Sequence, residues 1–182
     1  MSSIGIRKIA FAGAVAALYA ALTIALSFIG FGPIQFRVAE ALCILPFFFP
    51  FSVWGLFIGC LIANMISPYP LDIAVGSAAT LFAALCTMRI GKMNREKLMV
   101  KVLACFPPVI INAVFIGALI AFYMAGGGEI EAFLPAFVFN ALQVGFGQFI
   151  VLYALGLPLT FFLQKSRVYE KLLYISEGKV TR

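Results

Sequence analysis

The stretch that decides the fold is residues 9–30, IAFAGAVAALYAALTIALSFIG, which runs for 22 residues without a charge. As a helix it is long enough to cross the roughly 30 Å of hydrocarbon in a bilayer, and it exceeds the roughly 7–15 residue apolar core of a signal peptide. Apolar sequence follows immediately, so it reads as a retained first span. Further uncharged stretches lie outward from it, at 41–71 (interrupted by Pro46, Pro50, Ser52, Pro68 and Pro70), 73–88, 102–128 and 132–164. The 182-residue chain is 64% apolar and 11% charged, with a mean hydropathy of +1.10. Soluble domains average roughly 45–50% apolar and about 25% charged, and at this length about a third of their surface stays exposed. Lipid is therefore the solvent for most of the chain. This excludes a soluble enzyme, a disordered tail and a nucleic-acid module. Cys43, Cys60, Cys86 and Cys105 all fall inside apolar stretches with no CxxC pair, so they read as small buried hydrophobes and not as a disulfide framework or a zinc site.

In such a chain the charges mark where spans end. Arg7 and Lys8, the 89–101 segment and the tail from Lys165 hold 12 of the 13 Lys and Arg residues. The positive-inside rule puts all three in the cytoplasm. The segment around Gly126–Ala132 carries Glu129 and Glu131 and no base, so it belongs outside. An even number of crossings must then precede Met88. Two crossings leave the 41–71 stretch unexplained, whereas four are obtained if 37–49 and 51–67 are short helices meeting at the Pro46–Pro50 turn. The expected fold is an all-α integral membrane protein, a single domain over 1–182. Its six spans fall at about 9–30, 37–49, 51–67, 71–89, 102–125 and 133–163, with both termini cytoplasmic. The second span, barely a dozen residues, must be tilted or lie partly behind a loop.

Polar groups within spans are costly and face an interior or a cavity. Arg37 and Glu40 are three apart at the start of the second span, Asn64 ends the third, and Asp72 begins the fourth. Asn112 falls near the middle of the fifth, Asn140, Gln143 and Gly147 share a face of the last with Gln148 at its edge, and Gln35 precedes the second span. Most of these lie in the expected outer half of the membrane, which suggests a pocket opening outward. Bland readings stand beside this one. Arg37 and Glu40 make either a structural ion pair or a site, Asp72 either caps its helix or meets a ligand, and Asn140 and Gln143 either join helices or line the pocket. In the first span Gly13, Ala17, Ala21 and Ala25 form one small-residue stripe, and Ala12, Ala16 and Ala20 form another; either admits a close helix, internal or foreign. Phe47–Phe49 meets lipid or packs at the turn. Histidine is absent and no nucleotide-binding loop is present, so any uphill transport must draw on a partner or an ion gradient.

Three segments carry a resemblance: Gly32-Pro33-Ile34-Gln35-Phe36-Arg37-Val38-Ala39-Glu40-Ala41-Leu42 with Leu45-Pro46-Phe47-Phe48, then Gly55–Asn64, then Leu71–Ser77. Together they resemble the queuosine-precursor transporter (QueT) family over essentially the whole chain. Membership implies a substrate-binding S component of an energy-coupling factor (ECF) importer in a prokaryotic plasma membrane. Such a protein has six helices, no cofactor and no metal, and it captures a 7-deazaguanine queuosine precursor at the outer face. It is expected to topple in the membrane and carry its pocket inward with a coupling transmembrane subunit and two cytosolic ATPases. The first-span stripes Ala12, Ala16, Ala20 and Gly13, Ala17, Ala21 are the implied docking surface. The implied substrate contacts are Gln35, Arg37, Glu40, Asn64, Asp72, Asn112, Asn140 and Gln143. Among them Glu40 accepts the paired N–H donors of a guanine-like edge, with Asp72 second, and Arg37 or an amide meets its carbonyl. The competing readings are an S component for another vitamin or nucleobase, an autonomous ion-coupled carrier, whose inverted repeat is not evident, and a membrane enzyme, for which no acid, base and nucleophile set is present.

Overall fold

A computed structural model describes residues 3–31, 34–126, 130–166 and 169, and every regular element among them is helical. Six apolar segments follow one another: α1 (Ser3–Ala25), α2 (Val38–Phe48), α3 (Ser52–Ile66), α4 (Asp72–Ile90), α5 (Leu98–Met124) and α6 (Glu131–Lys165). By length and composition α1, α4, α5 and α6 can each cross a membrane; α2 and α3 are shorter. Residues 127–129 of the expected outer loop, and most of the basic tail after Ser166, lie outside the described residues.

The segment boundaries differ from the sequence reading in ways that have local causes. α1 begins before residue 9 and takes Arg7 and Lys8 into its Ala-rich helix, which propagates readily. It stops at Ala25, and a separate turn, Ser27–Gly30, completes the expected span. α5 is broken at Cys105, just ahead of Pro107 and Pro108. These prolines cannot donate back to the preceding turn, and Thr87 Oγ1 serves the Ala104 carbonyl instead at 3.1 Å. In α6 the helix widens to a π turn at Leu152–Gly156, immediately before Pro158, whose ring would crowd a tighter turn.

The largest correction concerns α2. Its first seven residues, Val38–Ile44, form a 3₁₀ helix, and only Leu45–Phe48 is α-helical. At the usual rises the whole of α2 reaches only about 20 Å, short of a bilayer core. Every residue from Ala39 to Phe49 is buried. α2 is thus a central plug sheathed by the other helices, where irregular backbone is tolerated because protein surrounds it. Phe47, Phe48 and Phe49 pack inside, so they do not meet lipid: Phe49 lies against Phe11 and Phe51, and Phe48 against Tyr169.

Small residues set the helix contacts. A side chain at Gly55 would strike the Ala12 backbone, and one at Gly59 would come within 2.7 Å of the Ala16 carbonyl and 2.9 Å of Tyr19 Cβ, so α1 and α3 meet nearly backbone to backbone. Gly117 lies equally close to Ala141, joining α5 to α6. The outward faces carry Trp54, Phe82, Leu142, Phe146 and Phe162, all largely exposed, as expected of a lipid-facing surface.

Candidate functional site

Arg37 precedes α2 with φ −83° and ψ 89°, outside the helical region. It therefore does not share the expected helical face with Glu40, and the structural ion pair that is one reading of the two residues does not form. Arg37 Nη2 instead meets Asp72 Oδ2, the first residue of α4, at 3.5 Å, with both side chains buried. The Phe31 ring lies 5.0 Å from the guanidinium carbon, in cation–π range. Asp72 makes no side-chain capping bond at its helix, which leaves the carboxylate for Arg37. Beside the pair, Asn64 Nδ2 donates to the Asp72 carbonyl at 2.9 Å, and Cys60 Sγ receives Asn64 at 3.4 Å and Thr80 Oγ1 at 3.2 Å. Among the described residues, Asn64 Oδ1 and Asp72 Oδ1 are buried without a partner.

Glu40 forms a second knot. Tyr19 of α1 donates its hydroxyl to Oε1, while Cys43 Sγ at 3.0 Å and Asn112 Nδ2 at 3.3 Å reach Oε2. One carboxylate thus ties α1, α2 and α5 together, with both oxygens engaged. Cys43 and Cys60 are therefore members of polar networks and not merely small hydrophobes. All four cysteines are free thiols.

A cleft of about 360 Å³ is lined by Phe31, Gln35, Tyr69, Ile120, Met124, Phe139, Asn140 and Gln143. Gln35 adopts φ 49°, in the left-handed region, and its carbonyl accepts the Arg37 N–H at 2.9 Å, making a tight turn. Gly147 makes room for this turn, since any side chain there would strike the Ile34 carbonyl. Non-glycine residues hold such backbone only where their surroundings fix it. Tyr69 lies 5.0 Å from Tyr123, whose hydroxyl accepts the Leu71 N–H at 3.3 Å, so that wall is braced. Among the described residues, the lining combines three carboxamides, three aromatic rings and no formal charge. Such a cleft suits a planar, uncharged ligand with several donors and acceptors.

The eight residues singled out in the sequence thus fall into three groups: Gln35, Asn140 and Gln143 line the cleft, Arg37, Asp72 and Asn64 form the first knot, and Glu40 with Asn112 the second. Phe31 and Tyr69 connect the cleft to the first knot, one stacked on Arg37 and the other accepting the Asp72 N–H through its carbonyl at 2.9 Å. The sequence reading missed Tyr19, Cys43, Cys60 and Thr80, and the cleft aromatics Phe31, Tyr69 and Phe139. Tyr19 alone left a trace, as one of few hydroxyl-bearing residues in residues 9–30. The two small-residue stripes also separate. Ala16 and Ala20 are buried inside the chain, so that stripe serves the α1–α3 contact, whereas Gly13, Ala17 and Ala21 are exposed.

Residues 9–165 match the family model described as QueT transporter. A curated relative, "Queuosine precursor transporter QueT" of Lactococcus lactis subsp. cremoris (strain MG1363), is 46% identical over 69 residues, covering 37% of this chain and 41% of that protein. The match thus spans about two-fifths of the relative's length. No solved structure matches the chain.

Proposed function

We propose that this chain, which belongs to the QueT transporter family, is the substrate-capture (S) subunit of an ATP-driven ECF importer for a 7-deazaguanine queuosine precursor. The relative's name supplies the substrate class, and the observation that carries the reading is the cleft, with its amides Gln35, Asn140 and Gln143 set among Phe31, Tyr69 and Phe139. A deazaguanine is flat and neutral, with donors and acceptors around its edge, so rings hold its faces while amides read its rim. Arg37, Asp72 and Asn64 form the base of the site. Glu40 and Asn112 hold that base in place through Tyr19 and α2.

The site opens to the outer face in this reading, and the basic segments remain cytoplasmic. A coupling transmembrane subunit docks on the exposed Gly13–Ala17–Ala21 stripe of α1, and two cytosolic ATPases supply the energy. Two measurements test the proposal. Detergent-solubilised protein should bind 7-deazaguanine, and Gln143→Leu and Asn140→Leu should each weaken binding about tenfold or more, the loss of one or two directional contacts. In cells, uptake should cease when the ATPase partners are deleted. Uptake that persists without them would replace this reading with an autonomous carrier.

A further inference from the structure

We infer that Asp72 Oδ1 and Asn64 Oδ1, and not Glu40, form the acceptor pair that reads the N–H donor edge of the ligand. This inference rests on the 7-deazaguanine reading above and names the atoms that would enforce it. A buried polar atom left without a hydrogen bond costs about 1–3 kcal/mol, and more when it carries charge. Asn64 and Asp72 are 1% and 2% exposed, and each keeps one oxygen unpartnered. Asn64 has no freedom to turn its amide around. Its nitrogen donates to the Asp72 carbonyl at 2.9 Å, a bond that only the –NH₂ side can make, so Oδ1 is the free atom.

Both side chains pack over Gly76 of α4. A methyl group there would strike Asp72 Oδ1 and come within 2.6 Å of Asn64 Nδ2, so the absence of a side chain lets the carboxylate and the amide converge. Arg37 engages only Oδ2 of Asp72, which aims the carboxylate while leaving Oδ1 as an acceptor. Glu40 contrasts at each point, since Tyr19 holds Oε1 and Cys43 and Asn112 hold Oε2. A ligand would have to displace these three donors to use it.

Two contacts connect the acceptors to walls of the cleft. Tyr69, on its wall, accepts the Asp72 N–H through its carbonyl, and Phe31, also on its wall, covers Arg37. A base whose faces meet Tyr69 and Phe139 would reach the pair with its edge once the Phe31 ring leaves Arg37. The chemistry required is a pair of adjacent donors on a neutral ring, as in the N1–H and 2-amino group of a guanine-type base. An otherwise identical base without the 2-amino group leaves one acceptor buried and bare.

The test compares 7-deazaguanine with 7-deazahypoxanthine, which lacks the 2-amino group, by calorimetry on the detergent-solubilised full chain. The wild-type chain should prefer 7-deazaguanine by about tenfold or more, since sites built to hydrogen-bond a group reject analogues lacking it. Asn64→Ala, which leaves the Arg37–Asp72 pair intact, should reduce the preference to about twofold or less, a remaining discrimination of about 0.4 kcal/mol or below. Asp72→Asn should do the same where it folds. Equal affinity of the wild-type chain for both bases, or a preference retained in Asn64→Ala, overturns the inference and leaves the proposed function standing. Failure of the wild-type chain to bind either base overturns the proposed function as well.

Discussion

Arg37 and Asp72 are opposite charges 3.5 Å apart in a place from which water has been removed. Such a pair contributes little net stability, because desolvation consumes most of the attraction, yet breaking it strands a bare charge. Arg37→Met and Asp72→Leu should each lower stability by about 3–5 kcal/mol, and the double substitution should recover most of that loss. Thermal unfolding of the three variants in one detergent checks this; additive losses would mean that the two side chains do not face each other. Asn112 offers a second case. Its amide donates to Glu40 Oε2, so Asn112→Asp sets two carboxylates together and Asn112→Ala merely removes a donor. The aspartate variant should unfold at the lower temperature, and the reverse order would place Asn112 elsewhere.

Between elements, the α1–α3 contact depends on two glycines. Gly59→Val puts atoms where the Ala16 carbonyl and Tyr19 already lie, and such overpacking costs about 1–3 kcal/mol, visible as a lower unfolding temperature of the isolated chain. Gly13 has no neighbour within 4 Å of an added Cβ, so Gly13→Leu should leave that temperature unchanged. If α1 docks a coupling subunit through this stripe, Gly13→Leu abolishes co-purification with that subunit and also abolishes uptake. Normal co-purification would move docking to another face. The element order was legible in the sequence because prolines and charges punctuate the apolar stretches. The membership of the knots was less so. Periodicity paired Arg37 with Glu40 on the assumption of an α-helix, but the backbone at Arg37 is not helical and Val38–Ile44 is 3₁₀, which turns the two side chains toward different helices. Nor can spacing along the chain reveal that Tyr19 meets Glu40 or that Cys60 meets Thr80, since these contacts depend on how the helices pack around α2.

For the whole molecule, the central feature is the position of α2. Its buried plug directs Glu40 toward α1 and α5, and Arg37, the residue just before it, toward α4, so α2 and its entry supply the charged centres of both knots. Four long helices surround it, and the exposed aromatic and aliphatic side chains on their outer faces are compatible only with lipid. The distribution of Lys and Arg then decides which end of the bundle faces which compartment. Lys92 lies exposed in the turn after α4, and Glu131 lies exposed at the start of α6. In a chain with its four cysteines replaced, Lys92→Cys should react with a membrane-impermeant maleimide only after permeabilisation, and Glu131→Cys should react in intact cells. This arrangement requires α5 to cross the membrane once between the two positions, and a 27-residue apolar helix satisfies that requirement with length to spare. Labelling of both positions from the same side would remove that crossing and, with it, the outward opening that the proposed substrate capture requires.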